Sequence, residues 1–366
     1  MKALFALGFR PFYLLAGAYA ALSVPLWALQ YSGALPAGNP LWHAHEMLFG
    51  YTFAVIAGFL LTAVRNWTGL PTPSGALLAA IAALWLAARL AAVVSLDAAT
   101  SLDVAFAIAL AWGIGRPILA SRNRNWFFIL LVLALGAASF AFRYWAGHAL
   151  IIGLDLVLYV IAVMAGRVVP PFTNSAVAGA GARRIRGLEL AALGSILALL
   201  VLDALQLGEL AAAVALAAAL IHAARLALWA PLATRGQPIL WILHLSYAWI
   251  VVHLALRGLA GFGYLPPLLA THALTVGAIG GITLGMMTRT SRGHTARPLA
   301  TGRAELWAYV LVQAAAVVRV FLPLVVPAAY RASVALSAAL WAAAFVVFVV
   351  AYFPILSQPR LDGKPG

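Results

Sequence analysis

Apolar residues in this chain come in long blocks, and the polar residues and prolines gather between them. Most blocks run to about 20 residues, the length a helix needs to cross a bilayer at about 1.5 Å per residue. Strand-type alternation is absent, which argues against an outer-membrane barrel. The blocks predict twelve helices, near 12–30, 44–65, 75–96, 102–119, 126–145, 149–169, 188–206, 209–230, 238–256, 266–288, 304–324 and 332–353. Connections are short and marked by proline or glycine, as at Pro36–Pro40, Pro71 and Pro73, Pro170-Pro171 and Pro266-Pro267. No loop is long enough for a separate soluble domain, and no convincing internal repeat is visible. The expected fold is therefore all-α: one polytopic transmembrane helix bundle, a single integral membrane domain over 1–366. Residues 1–11, MKALFALGFRP, lack a small-residue cleavage site, so the first apolar stretch is expected to be a retained helix.

Composition agrees with this pattern, with 65% hydrophobic and 9% charged residues. Charge adds topology. Formal net charge is +14, from 23 Lys and Arg against 9 Asp and Glu. In a soluble protein this balance suggests nucleic acid; here the basic residues segregate by side. With the N-terminus placed in the cytoplasm, eighteen fall on that side, from Lys2 to Lys364. Arg143, Arg257 and Arg331 fall opposite, and Arg89 and Arg319 lie within helices. The bias predicts both termini in the cytoplasm and no nucleic-acid partner. The chain has no cysteine, which excludes disulfides, covalent c-type haem, iron–sulfur clusters and thiolate copper.

Ionisable groups inside a bilayer are costly and normally face the bundle interior with a partner. On the topology above, Arg89, Asp103, Asp155, Asp203 and Arg319 fall in the outer half. His43, His45 and Glu46 crowd the outer end of the second helix, in LWHAHEMLFGY at 41–51. At α-helical spacing His43 and Glu46 share a face, and His45 points about 200° away. Metal ligation competes here with an interfacial, helix-capping role. His272 opens a stretch in which Ala273, Gly277, Gly281 and Gly285 recur every fourth residue, a stripe suited to a close helix neighbour or a flat macrocycle. His244 shares a face with Tyr247 and is either a ligand or an interhelical hydrogen-bonding group. His148, His222 and His253 read as structural or interfacial, and His294 as lying in a cytoplasmic loop. Met286-Met287 reads as packing. No phosphate-binding loop, nucleophile elbow or H-E-x-x-H occurs.

GFRPF (8–12), WHAHEMLFGY (42–51), GFLLTAVRNWTG (58–69), GRVVPPFT (166–173), LHLSYAW (243–249) and HALTVGAIGGITLGMMTRTSRGHTARPL (272–299) together resemble the NnrS family. These are polytopic bacterial membrane proteins of the nitric-oxide response, described as containing haem and copper. The resemblance spans residues 8–299, and the last two helices agree only in hydropathy. It implies a b-type haem, which needs no cysteine, and copper held by histidine. Carried over residue by residue, it makes His43, His45, His244 and His272 candidate cofactor ligands. His43, His45 and His272 are the candidate metal set, with Glu46 and Tyr247 as supporting groups.

Two functions follow as expectations. One is a haem- and copper-binding protein of the bacterial cytoplasmic (inner) membrane that relieves nitrosative stress and meets nitric oxide or iron–nitrosyl species. The alternative is a proton-coupled secondary transporter with an intramembrane pathway of histidine and carboxylate. Nothing in the sequence demonstrates catalysis or sets the oligomeric state.

Overall fold

The computed structural model describes residues 3–364, and Lys2, counted above, lies outside the described residues. Among the described residues there is no strand, and twelve helices are long and apolar enough to span a membrane. They are α1 (Phe9–Ser32), α2 (Trp42–Thr68), α3 (Gly75–Val94), α4 (Leu96–Ala120), α5 (Arg124–Phe142), α6 (Ala146–Ala176), α7 (Arg186–Ala204), α8 (Gly208–Leu228), α9 (Pro238–Gly261), α10 (Pro267–His294), α11 (Arg303–Val325) and α12 (Pro327–Ser357).

Several ends differ from the sequence expectation: α4 starts at Leu96, α12 spans Pro327–Ser357, and α9 runs to Gly261, which places Arg257 within a spanning helix. Two more ends bear on the motifs. Helix α6 continues through Pro170-Pro171 to Ala176. Each proline removes one N–H from the helical ladder, a local loss that leaves the rest of the helix intact. The flanking residues Val169 and Thr173 remain buried. Helix α10 runs on to His294, which is therefore helical. Its last turns look like a polar loop in sequence, yet Arg289, Ser291 and Thr295 are buried.

α5 and α12 open with short 3-10 turns, and two segments inside the spanning helices are π-helical. Residues Glu46–Thr52 of α2 and Ala273–Gly280 of α10 form π-helical turns, and each begins immediately after a histidine, His45 or His272. Such turns are rare and often sit at functional sites. In α2 the Thr52 hydroxyl bonds the carbonyl of Met47, five residues back, at 2.9 Å.

The chain divides into two compact units. The first comprises the described residues up to Leu154, residues 287–299 and those from Phe348 onward; the second comprises 155–286 and 300–347. Within the first, α1 packs on α2, and α4 lies against α3 and α5. Arg10 of the GFRPF motif is buried there, donating to the carbonyls of Leu356 (2.9 Å) and Gln358 (2.7 Å). The His294 ring lies 5.6 Å from that of Phe9, and its carbonyl accepts from Arg360 at 3.0 Å. Within the second unit α8 packs between α7 and α9. The small-residue stripe of α10 meets α9: a Cβ on Gly277 would sit 2.4 Å from Trp249, and one on Gly281 2.1 Å from the Ser246 hydroxyl. The stripe is a helix-packing surface.

Candidate functional site

The first unit holds a closed cluster of charge. His45, Glu46, Asp103, Ser139 and Arg89 are all buried, at most 2% exposed. Arg89 on α3 donates to Glu46 Oε1 on α2 (2.8 Å) and to Asp103 on α4. Its approach to α2 depends on Gly50, where a Cβ would lie 2.5 Å from the guanidinium. The Tyr19 hydroxyl of α1 donates to the second Glu46 oxygen.

His45 sits between the two carboxyls. Its Nδ1 donates to Glu46 Oε1 at 2.7 Å, and its Nε2 lies 3.1 Å from Ser139 Oγ, whose hydroxyl is 2.8 Å from Asp103 Oδ2. One neutral arrangement has both carboxyls ionised, Ser139 donating to Asp103 and His45 an imidazolium donating from both nitrogens; the other has Asp103 protonated and donating to Ser139, which donates to Nε2 of a neutral His45. Either arrangement leaves the cluster without net charge, which satisfies the requirement for buried charge.

Helical spacing pairs Glu46 with His43, whereas the structure pairs it with His45. The physical cause is the π turn that starts at Glu46: it rotates less per residue than an α turn, so neighbouring side chains converge. The His43 ring instead stacks on Trp27, centroids 4.1 Å apart and planes at 18°.

The second unit holds Tyr247, His244 and His272. Tyr247 joins His222 and Arg225, not His244. Its hydroxyl meets His222 Nδ1 at 2.6 Å and accepts from Arg225 at 2.8 Å. His222 Nε2 donates to the carbonyl of Ala192 (3.1 Å), so its Nδ1 accepts the tyrosine hydrogen. Arg225 continues to Glu189 through two bonds, 2.9 and 2.6 Å. Every polar atom of His222 is thus engaged within the protein.

His244 is different. Its Nε2 meets Thr173 Oγ1 at 2.9 Å, while that hydroxyl donates to the Val169 carbonyl at 3.0 Å. When the hydroxyl hydrogen is on Val169, Nε2 is the donor and Nδ1 carries the lone pair. That Nδ1 is buried and has no hydrogen-bond partner. His253 shows the mirror arrangement: Nδ1 donates to the Ala270 carbonyl at 2.8 Å, and Nε2 is buried without a partner. His272, at the head of the α10 π turn, directs Nδ1 to the Leu268 carbonyl (2.8 Å). His43 and His45 belong to the first unit and His244, Tyr247 and His272 to the second.

The sequence reading did not single out Tyr19, Ser139, Thr173, Glu189 or Arg225 as site partners. Ser139 and Thr173 carried a faint signal, each a hydroxyl within an apolar helix; Arg225 was counted as topological charge.

A comparison with curated proteins finds no match. The family model described as NnrS protein matches residues 3–360, so the match reaches past the motif-bearing part of the chain and takes in all of α11 and α12. Its match to nearly the whole length shows that this multi-pass membrane chain belongs to the NnrS family.

Proposed function

We propose that this protein binds b-type haem and copper in the bacterial cytoplasmic membrane, with both termini inside, and acts in the response to nitric oxide to relieve nitrosative stress. The observation that carries the reading is His244, a buried imidazole anchored through Nε2 by Thr173 and left without a partner at Nδ1. Leaving such a group buried and unpaired costs about 1–3 kcal/mol, a cost that a ligated metal removes. The donor set fits: with no cysteine, histidine is the principal ligand for either group.

When bound, haem iron supplies a coordination position with affinity for nitric oxide. This chain's residues supply the rest. His244 is the proposed haem ligand, and Thr173 fixes its orientation in the way that outer-shell partners fix ligating imidazoles. Copper is proposed to be held by histidine, with His43 the candidate ligand in the first unit and His272 that in the second. His45 is available as a ligand only by releasing Glu46 or Ser139, so its role in the resting protein is to keep α2, α4 and α5 together around a neutral cluster.

The test is an oxidised and reduced visible spectrum of the purified protein, with iron and copper analysis on the same sample. A Soret band that shifts with nitric oxide, and is lost or altered in His244→Ala, is expected. Reduced copper is expected in a His43→Ala, His45→Ala double variant. A featureless spectrum without stoichiometric metal, after expression with ample haem, refutes the proposal.

A further inference from the structure

Two arginines in the spanning helices are each held between two carboxylates, and their charge balances differ. Around Arg89 an imidazole, His45, bonds Glu46 and faces Asp103, and can close the account as a second cation. In the second unit Arg257 of α9 donates to Asp155 Oδ1 of α6 at 2.6 Å and to Asp203 of α7. Here one cation faces two carboxyl groups. His253, one turn earlier on α9, lies within the field of Arg257 and Asp203. It does not supply the missing charge: its Nδ1–H is used on Ala270, and an added hydrogen on the buried Nε2 would have no acceptor.

With both carboxyls ionised, the group would carry one uncompensated negative charge in a site where Asp155 is only 1% exposed. Stranding a buried charge is strongly unfavourable, and two carboxyls at hydrogen-bond distance avoid it by sharing a proton. The two aspartates bind the same guanidinium, which holds their carboxyls side by side. Asp155 Oδ2 is buried and receives no hydrogen bond, so it is the oxygen with room for the hydrogen.

We propose that Asp155 and Asp203 hold one exchangeable proton between them at neutral pH, forming a proton-binding site with Arg257 as fixed counter-ion. Loaded, the site is neutral; unloaded, it carries a single negative charge, and the proton goes to water. Asp203 and Arg257 are 14% and 17% exposed, so exchange runs through Asp203, with Asp155 as the inner partner. Such a site serves a proton-consuming reaction or a proton-coupled translocation equally, and it does not depend on the haem assignment.

The experiment is infrared spectroscopy of the full-length protein in lipid nanodiscs at neutral pH, with hydrogen–deuterium exchange. A protonated-carboxyl C=O band should be present, shift in D2O, and lose one carboxyl's intensity in either Asp155→Asn or Asp203→Asn. Each variant leaves one carboxylate neutralised by Arg257. Asp155→Asn keeps the shape, and its amide can donate to Asp203 as the acid does. Arg257→Gln gives an opposite check, because without the guanidinium both carboxyls become protonated and the band should gain one carboxyl. Unchanged intensity in all three variants overturns the proposal, as does a wild-type spectrum with no exchangeable carboxyl band.

Discussion

Whether His45 carries the charge that balances the cluster can be tested by removing that group and then an opposite charge. If His45 is an imidazolium, His45→Gln keeps a side chain able to hydrogen-bond but removes the cation, leaving Arg89 against both Glu46 and Asp103. All these groups are at most 2% exposed, so solvent cannot absorb the imbalance. Breaking a buried ion pair by deleting one partner costs about 3–5 kcal/mol. If His45 were neutral, the substitution would disturb only its bonds to Glu46 and Ser139, at about 0.5–1.5 kcal/mol each. The second step, Asp103→Asn, removes one negative charge. For an imidazolium it restores neutrality, and the double variant should recover about 2 kcal/mol relative to His45→Gln, within the range of coupling seen for contacting residues. For a neutral imidazole the same step leaves the double variant less stable than the single one. Graded SDS unfolding in mixed micelles, followed through the chain's 12 tryptophans, reads these differences. A double variant that loses as much as the two singles together refutes the imidazolium and reopens His45 as a metal ligand.

Other expectations follow from the same geometry. Tyr247→Phe removes the hydroxyl between His222 (2.6 Å) and Arg225 (2.8 Å) and should cost about 1–3 kcal/mol in the same unfolding assay, for buried groups left unpaired. Gly166→Ala should be more damaging than its size suggests, because the new Cβ would lie 2.0 Å from the Arg225 guanidinium; a cost of about 1–3 kcal/mol is typical of overpacking, and an unchanged midpoint contradicts the packing. Gly194→Ala is the matched control on α7: nothing lies within 4 Å of its Cβ, and a gain of up to about 1 kcal/mol is expected from helix propensity. Thr173→Val should alter the visible spectrum of a haem-loaded sample without abolishing it, since it removes the group that orients His244 and leaves the proposed ligand; a spectrum identical to wild type denies Thr173 that role.

Much of the site was visible in sequence as unease, not as geometry. Arg89, Asp103, Asp155 and Asp203 stood out because charge inside an apolar helix demands a partner, but spacing cannot name partners on other helices. Ser139 lies 94 residues from His45, Thr173 lies 71 from His244, and Arg257 lies 102 from Asp155. The error over His43 has a different source. A rotation of 100° per residue assumes an α-helix, and the π turn at Glu46–Thr52 breaks that assumption where the site residues sit. Tyr247 was paired with His244 because they share a face by spacing, while packing against α8 carried its hydroxyl to His222 and Arg225.

The sequence alone determined the solvent and the element count. Apolar blocks long enough to cross a bilayer, with no alternation and little charge, leave helices as the available spanning structure, and their number is twelve. Family membership was likewise legible, because the motifs are local strings. Only the tertiary structure decided the partners of each imidazole: Glu46 and Ser139 at His45, Tyr247 and the Ala192 carbonyl at His222, Thr173 and an unpartnered Nδ1 at His244. A histidine's tautomer depends on whether its neighbour has a hydrogen left to give, and that neighbour is chosen by helix packing, not by position along the chain.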